Sequence, residues 1–129
     1  MLEADLRAYI LADAQVAGLV GDRMYPRMLP QEPALPALVF QRIDTRRMHD
    51  MDGADGLPRA RLQIACWAAL PADAAIVAQA VRSRMDGVKG SIGASIIGAS
   101  LCVGERDLND AEAGRAGVAL DFLIHYQED

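Results

Sequence analysis

The side chains best suited to acid–base chemistry near neutral pH are the two histidines, His49 and His125. His125 follows Asp121 by four residues in a segment that alternates between apolar and polar residues, so both side chains project from one face of a predicted strand. A carboxylate near a histidine can orient a general base. Because no serine or cysteine stands in a recognisable nucleophile turn to use that base, a polar pair on a sheet face is the favoured interpretation.

Two loops have the composition of ligand sites but not the spacing. The acidic run 49–55 resembles a calcium loop, yet a loop starting at Asp50 would need an oxygen donor and a bidentate acid where the chain has Ala54 and Arg61. The glycine-rich run 87–93 lacks the spacing and the strand-to-helix context of a phosphate loop. Solvated turns and a flexible connection are the favoured interpretations of these two runs.

The two cysteines, Cys66 and Cys102, both fall in apolar segments with strand-like patterning. In a protein kept in a reducing compartment we expect them to be buried, reduced thiols, and a disulfide or a metal pair is the alternative. The sequence therefore predicts no catalytic residue, no cofactor-binding residue and no metal site.

Length and charge restrict the function further. The chain has 129 residues, a net charge of −5 and a single lysine, Lys89, so sequence-independent binding of nucleic-acid phosphates is not expected. No apolar run has the roughly 20 residues that a membrane span needs, and the N-terminus lacks the pattern of a signal peptide. These features predict one domain, residues 1–129, in solution, with no membrane contact.

The elements that would position these side chains are predicted from periodicity. Strict alternation marks strands that are buried on one face, and apolar spacing with capping residues marks helices. We predict an α+β fold in α-β-β-α-β-β order, a mainly antiparallel sheet of about four strands with two helices on one face. The predicted helices are 2–12, followed by a short turn at 13–19, and 71–86; the predicted strands are 37–45, 60–67, 96–103 and 116–126. The proline-rich stretch 23–36 is predicted as extended loop, with a short edge strand at 24–25 as an option, and a charged turn is predicted at 105–114.

Trp67 is the most informative single residue of the predicted sheet. It lies on the opposite side of its strand from Leu62, Ile64 and Cys66, so it faces away from the helices if those three residues face them. An exposed tryptophan with aliphatic neighbours is typical of an interface anchor. A loop folded over the indole ring is the equally favoured alternative. The predicted loop 46–58 exceeds an ordinary hairpin connection, and such loops are commonly functional or disordered.

Five segments together resemble one family: the tail-completion or tail-terminator family of long-tailed phages, prophages and phage-like particles, which acts in head–tail joining. The resemblance spans essentially the whole chain, in order and at matching spacings. The segments that carry it are residues 1–26, which open M-L-E-A-D-L-R-A-Y-I, then L-P-A-L-V-F-Q-R-I (35–43), R-A-R-L-Q-I-A-C-W-A (59–68), A-V-R-S-R-M-D-G (80–87) and V-A-L-D-F-L-I-H-Y (118–126).

The resemblance implies a structural, non-enzymatic function. Proteins of this kind form a ring, taken as hexameric, on the head-proximal end of the tail tube, where they stop tube growth and join the tail to a head-side connector or stopper protein. The implied partners are other copies of the chain, the tail tube protein and that connector, in a tail or neck assembled in the bacterial cytoplasm, with DNA passing through unbound. The candidate interaction residues are Trp67, Arg46, Arg47, His49, Asp50, Asp52 and Arg61.

Two other functions fit the same sequence. A head-side neck or connector completion protein has a comparably small fold. A small ligand-binding or enzymatic α+β domain would use His125, Asp121 and the arginines around the 46–58 loop.

Overall fold

The computed structural model describes residues 2–47, 49–50, 53–54 and 58–127. In that part of the chain there are three helices and eight strands. The helices are α1 (Leu2–Leu11), α2 (Ala14–Val20) and α3 (Pro71–Met85); the strands are β1 (Met24–Pro26), β2 (Ala37–Arg46), β3 (His49–Asp50), β4 (Gly53–Ala54), β5 (Arg59–Ala68), β6 (Gly90–Ile92), β7 (Ser95–Asp110) and β8 (Arg115–Gln127).

Six of the strands form one sheet in the order β1-β2-β5-β8-β7-β6. β1 runs parallel to β2, and every other neighbouring pair is antiparallel. β3 and β4 form a separate two-stranded ladder within the 46–58 segment. The sheet is therefore mixed, and it curls with its helices on one side.

The predicted mainly antiparallel sheet of about four strands with two helices was wrong, since the sheet is mixed and has six strands and the fold has three helices. The extra strands are the two three-residue ones at the edges: β1, whose start at 24–25 was an option in the sequence, and β6, in a glycine-rich stretch predicted as loop. They form because longer neighbours offer them a hydrogen-bonding edge. The third helix is α2, which was predicted only as a turn.

β7 is twice as long as predicted. The charged stretch 105–110 was taken for a turn, but it continues the strand and pairs with β8 until Asp110 meets Arg115. Two register shifts interrupt this pairing, one after Ile97 and one after Cys102. Charged side chains are tolerated here because most of this half of the strand is exposed to solvent.

The core lies between the three helices and one face of the sheet. Leu62 and Ile64 of β5 and Phe122 of β8 are almost completely buried, as the alternation of these strands predicted. Each such side chain stabilises the fold by about 1.5–3 kcal/mol relative to an exposed one. Leu6, Ile10, Val16, Val20 and Met85 complete this layer from the helices.

Local signals set the helix boundaries. Asp13 caps α2 by accepting a hydrogen bond from the backbone N–H of Val16 at 3.1 Å, and Gly21, at φ 62°, follows its end. α3 begins at Pro71, carries Asp73 in its first turn and ends one residue earlier than predicted. Within the described residues, no helix is long and apolar enough to cross a membrane.

Both cysteines are free thiols in the structure. Cys66 is completely buried, as predicted, and that burial raises the pKa of its thiol well above the ordinary value. Cys102 is only half-buried, because it lies on β7 near the sheet edge, and burial also raises its pKa. Both shifts favour the protonated, unreactive form.

The helical layer is joined to the far edge of the sheet through Asp5 of α1. The hydroxyl of Ser95 donates to the Asp5 carboxylate at 2.5 Å, and this hydrogen bond lowers the pKa of Asp5. Gly93 lies at φ +59° in the turn between β6 and β7, and a Cβ there would collide with the same carboxylate. The turn therefore requires glycine for two reasons, its backbone conformation and this close approach.

We predict that Gly93→Ala destabilises the protein by about 1–3 kcal/mol, because alanine is strained at this φ and displaces Asp5. The matched control is Gly18→Ala in α2, where a Cβ meets nothing within 4 Å, and we expect that change to stabilise the helix by about 0.5–1 kcal/mol. Urea unfolding of both variants measures the difference. Equal stabilities would contradict the assignment of Gly93.

Candidate interaction surface on the open face of the sheet

The sheet face opposite the helices carries the residues that alternate, along each strand, with the buried residues of the core. Strand register places them in rows across the sheet. One row contains Trp67, Gly117 and Leu108. The middle row contains Gln63, Asp121 and Gly104, and a third row contains Arg59, His125 and Ala99. We call this side of the sheet the open face.

Trp67 packs tightly on the open face. Its indole lies over Gly117, where a Cβ would come within 2.8 Å of the ring atom Cε3. The guanidinium of Arg115 is 5.4 Å from the ring centroid, a cation–π contact. The tryptophan is thus half-buried and held in one orientation before any partner binds.

A hollow of about 300 Å³ adjoins Trp67. Its floor contains Val39, Ala65 and Trp67, and the segment 27–29 and residues of β7 form its walls. Met28 in that segment is 75% exposed, so a large apolar side chain stands at the rim. The Trp67 ring therefore lies on the open face, and the loop that contains residues 27–29 borders it without covering it completely.

Arginines surround this apolar floor. Arg27, Arg106 and Arg115 all line the Trp67 hollow. A tryptophan with aliphatic neighbours inside a polar rim has the composition of a protein–protein interface core, in which tryptophan and arginine are enriched.

Asp121, in the middle of the open face, is paired with an arginine and not with histidine. Its Oδ2 is 3.2 Å from the guanidinium of Arg106, and Gly104 leaves room for the carboxylate. His125 lies four residues further along β8, about 13 Å away at the rise of a strand. The two side chains therefore lie on one face, as predicted, but too far apart to form a general-base dyad.

The other end of the open face is rich in arginine. Arg46, Arg59 and Arg61 line a second hollow of about 330 Å³ together with Asp44, Val103 and Leu123. Arg46 is 3.9 Å from Asp44 and its side chain is largely exposed. This hollow offers charge and a small apolar patch, formed by Val103 and Leu123, to a partner.

The structure does not unite all the predicted interaction residues. Trp67 and Arg61 are six residues apart on β5, about 20 Å at the rise of a strand, so they belong to separate hollows. Arg47 directly follows β2 and is exposed. The backbone of His49 and Asp50 forms β3, which pairs with β4. Asp52, like most of the acidic run examined as a calcium loop, lies outside the described residues.

Several residues of the Trp67 hollow escaped the sequence analysis. Arg27, Met28 and Leu29 come from a proline-rich loop, and Arg106 and Leu108 come from the stretch predicted as a turn. Gly117 was the available signal, because a glycine inside an alternating strand often marks the close approach of another group. In the described part of the chain, no cluster of three His, Cys, Asp or Glu side chains has the arrangement of a metal site.

Comparison with known proteins identifies the fold and the family of this chain. The fold is that of a chain from a solved structure described as the virion of a native gene transfer agent particle, with a TM-score of 0.81, 21% identity, and coverage of 98% of this chain and 95% of that one. The family described as tail completion protein gp17 matches residues 4–127. The chain belongs to this tail-completion family, and it is a structural virion protein with a role in phage tail completion. A search of curated proteins finds no match.

We predict that Gly117→Ala destabilises the protein by about 1–3 kcal/mol, because the new methyl group overlaps the indole of Trp67. Trp67 is the single tryptophan, so displacement of its ring from Gly117 should also shift the fluorescence emission to longer wavelength. In a Trp67→Ala background the same change should cost much less, since the ring it overlaps is gone. An equal cost in both backgrounds would contradict the close packing.

Proposed function

We propose that this protein forms a hexameric ring on the head-proximal end of a phage-type tail tube. There it stops tube growth and provides the surface to which a head-side connector or stopper protein binds. Membership of the tail-completion family supports this proposal. The observation in the structure that carries it furthest is the open face, which the helices leave uncovered and which has a preformed tryptophan hollow at one end.

The two hollows suit a subunit with more than one partner. A ring subunit must contact its two neighbours through different surfaces, and it must also contact the tube and the connector. The Trp67 hollow is apolar with a cationic rim, whereas the arginine hollow is dominated by charge. Different chemistry at the two ends would let each bind its own partner without competition.

The function we propose needs no catalysis and no bound cofactor. The best acid–base candidates, Asp121 and His125, are apart on the open face, and Asp121 is already paired with Arg106. The net charge of −5 fits a ring through which DNA passes without binding, because a negative wall repels phosphate.

The primary experiment is native mass spectrometry across a concentration series, combined with negative-stain imaging of the protein alone and with isolated tail tubes. We expect six-fold rings, or density that caps one end of the tubes. If the protein does not bind tubes but binds purified heads, its function would be that of a head-side neck protein. A monomer that binds neither would contradict both assignments, and only then would a ligand screen be justified.

We predict that Trp67→Ala reduces tube capping by at least about tenfold, the effect of losing roughly 1.4 kcal/mol at an interface anchor. The matched control is Ile76→Ala, which removes an apolar side chain that is 51% exposed on α3, away from the open face. Capping is measured as the fraction of tubes with end density at fixed protein concentration. Equal losses for the two variants would contradict a specific role of the open face.

We predict a different effect for Arg61→Glu, which reverses an exposed charge in the arginine hollow. If that hollow binds an acidic partner surface, the variant should cap fewer tubes or bind less connector, and the wild-type interaction should weaken with added salt. Arg61→Lys, which keeps the charge, is the control. Unchanged binding of the Glu variant to all partners would remove this hollow from the interface.

A further inference from the structure

The outer edge of β7 is only partly covered. β6 pairs with its first residues, and the loop after α3 covers the next ones, since the backbone N–H of Gly87 donates to the carbonyl of Ser100 at 2.7 Å. The backbone N–H of Cys102 likewise donates to the Asp86 carboxylate at 3.0 Å. Within the described residues, no strand pairs with the outer side of 103–110.

The opposite side of the sheet has a matching open stretch. β1 pairs with β2 only from Leu38 to Phe40, and the carbonyl of Phe40 also accepts from the backbone N–H of Arg27 at 3.0 Å. In the part of the chain that the structure describes, the outer side of 41–46 has no pairing strand. The molecule thus presents two free strand edges on opposite sides of one sheet.

Each free edge borders a groove beside a helix, which is the setting in which an added strand can pair and also pack its side chains. A groove of about 460 Å³ separates β7 from α3 and is lined by Gln79, Arg82, Glu105 and Asp107, among others. A groove of about 730 Å³ lies between β2 and α1, with Glu3, Arg7 and Arg42 in its lining.

The two edges carry opposite charge. Residues 103–110 of β7 and the groove beside them hold three acids and two arginines; these are Glu105, Asp107, Asp110, Arg82 and Arg106. The β2 edge and its groove hold four arginines and two acids; these are Arg7, Arg27, Arg42 and Arg46, with Glu3 and Asp44. The net charges of −1 at the β7 edge and +2 at the β2 edge disfavour contact between two like edges and favour contact between unlike ones.

We propose that the free edge of β7 in one copy of this chain pairs with the free edge of β2 in the next copy, so that the sheet continues from subunit to subunit around the ring. The occupant of each edge is therefore a second copy of the chain. This inference rests on the proposed ring function and assigns its subunit contact. The contact joins two different surfaces, and such a heterologous contact closes into a ring when its rotation allows.

The positions of the free edges along the sheet agree with closure. The covered part of β2 is near its start, whereas the free part of β7 is near its end, close to the residues that pair with Gly117 and Arg115. The strand register across β5 and β8 places the open stretch of β2 level with the covered stretch of β7. The open stretch of β2 in one copy can therefore meet the open stretch of β7 in the next copy only if the two copies are displaced relative to each other along the strand direction. A stagger of this kind is what tilted strands require when a sheet closes on itself.

The backbone groups available for pairing follow from the hydrogen bonds that cover each edge. The backbone groups of Ser100 and Cys102 point away from β8, toward the outer edge. Because the register shifts by one residue after Cys102, the next residues whose backbone groups point outward are Glu105 and Asp107. On β2, the backbone carbonyl of Phe40 points to the outer edge. The register shift after Arg42 makes Thr45 a residue whose backbone groups also point outward. Proline at 107 or 45 removes an outward N–H without removing a hydrogen bond within the sheet.

The test uses two full-length variants, Asp107→Pro and Thr45→Pro, with Asp107→Ala and Thr45→Ala as controls. Each proline variant alone should remain monomeric in native mass spectra under conditions in which the wild type and the alanine controls form rings. A mixture of the two should stop at one-to-one dimers, because each chain keeps one intact and complementary edge.

Circular dichroism establishes that each variant is folded. If a proline variant does not fold, Glu105→Lys combined with Asp107→Lys replaces it on β7, and Arg46→Glu replaces it on β2. The proposal would be supported if neither charge-reversed variant forms rings by itself and if a single chain that carries all three changes forms rings again.

Other outcomes would overturn the edge pairing. Thr45→Pro dimers in the absence of any second variant would indicate a symmetric contact between two β7 edges. Rings or tube caps formed equally well by both proline variants would overturn the edge pairing and leave the proposed function in place. A wild-type chain that forms neither ring nor cap would overturn the proposed function itself.

Discussion

The register of β5 between β2 and β8 is the constraint on which the rest of the molecule depends. Pairing of Ile64 with Phe40 on one side and with Leu120 on the other places apolar residues of all three strands against the helices. Because the side-chain period of a strand is two, a shift by one residue would turn this whole set outward. The same register therefore determines which residues form the open face.

The open face is exposed because all three helices pack on the other side of the sheet. Three helices cover one side of the six-stranded sheet, and within the described residues no helix or second sheet covers the opposite side. The side chains on the open face hold one another in place. The indole of Trp67 packs on Gly117, Arg115 lies near that ring, and Arg106 is paired with Asp121. Ordering these side chains before binding lowers the entropy lost on association, which favours affinity from a small contact area.

The sequence predicted the elements whose signals are local and missed those that depend on distant partners. The strands around Leu62 and Phe122 and the helix that starts at Pro71 followed from alternation, spacing and capping. The short strand β1 was only an option at 24–25, and its parallel pairing with β2 could not be predicted in the same way, because the partner lies beyond a proline-rich loop. The site was divided similarly: Trp67 was identified from its strand, whereas Met28 and Arg106 reach it only through the fold.

The charged residues at the end of β7 reconcile solubility with assembly. An exposed strand edge invites uncontrolled pairing, and proteins limit this risk with charges along such edges. Acids outnumber arginines along the free edge of β7, and arginines outnumber acids beside the β2 edge, so in the proposed pairing two like edges would repel each other. A uniformly apolar edge would pair with any strand, but a charged edge pairs only where its complement is present. In the proposed ring, the same side chains would oppose uncontrolled pairing and would define the one orientation in which neighbours join.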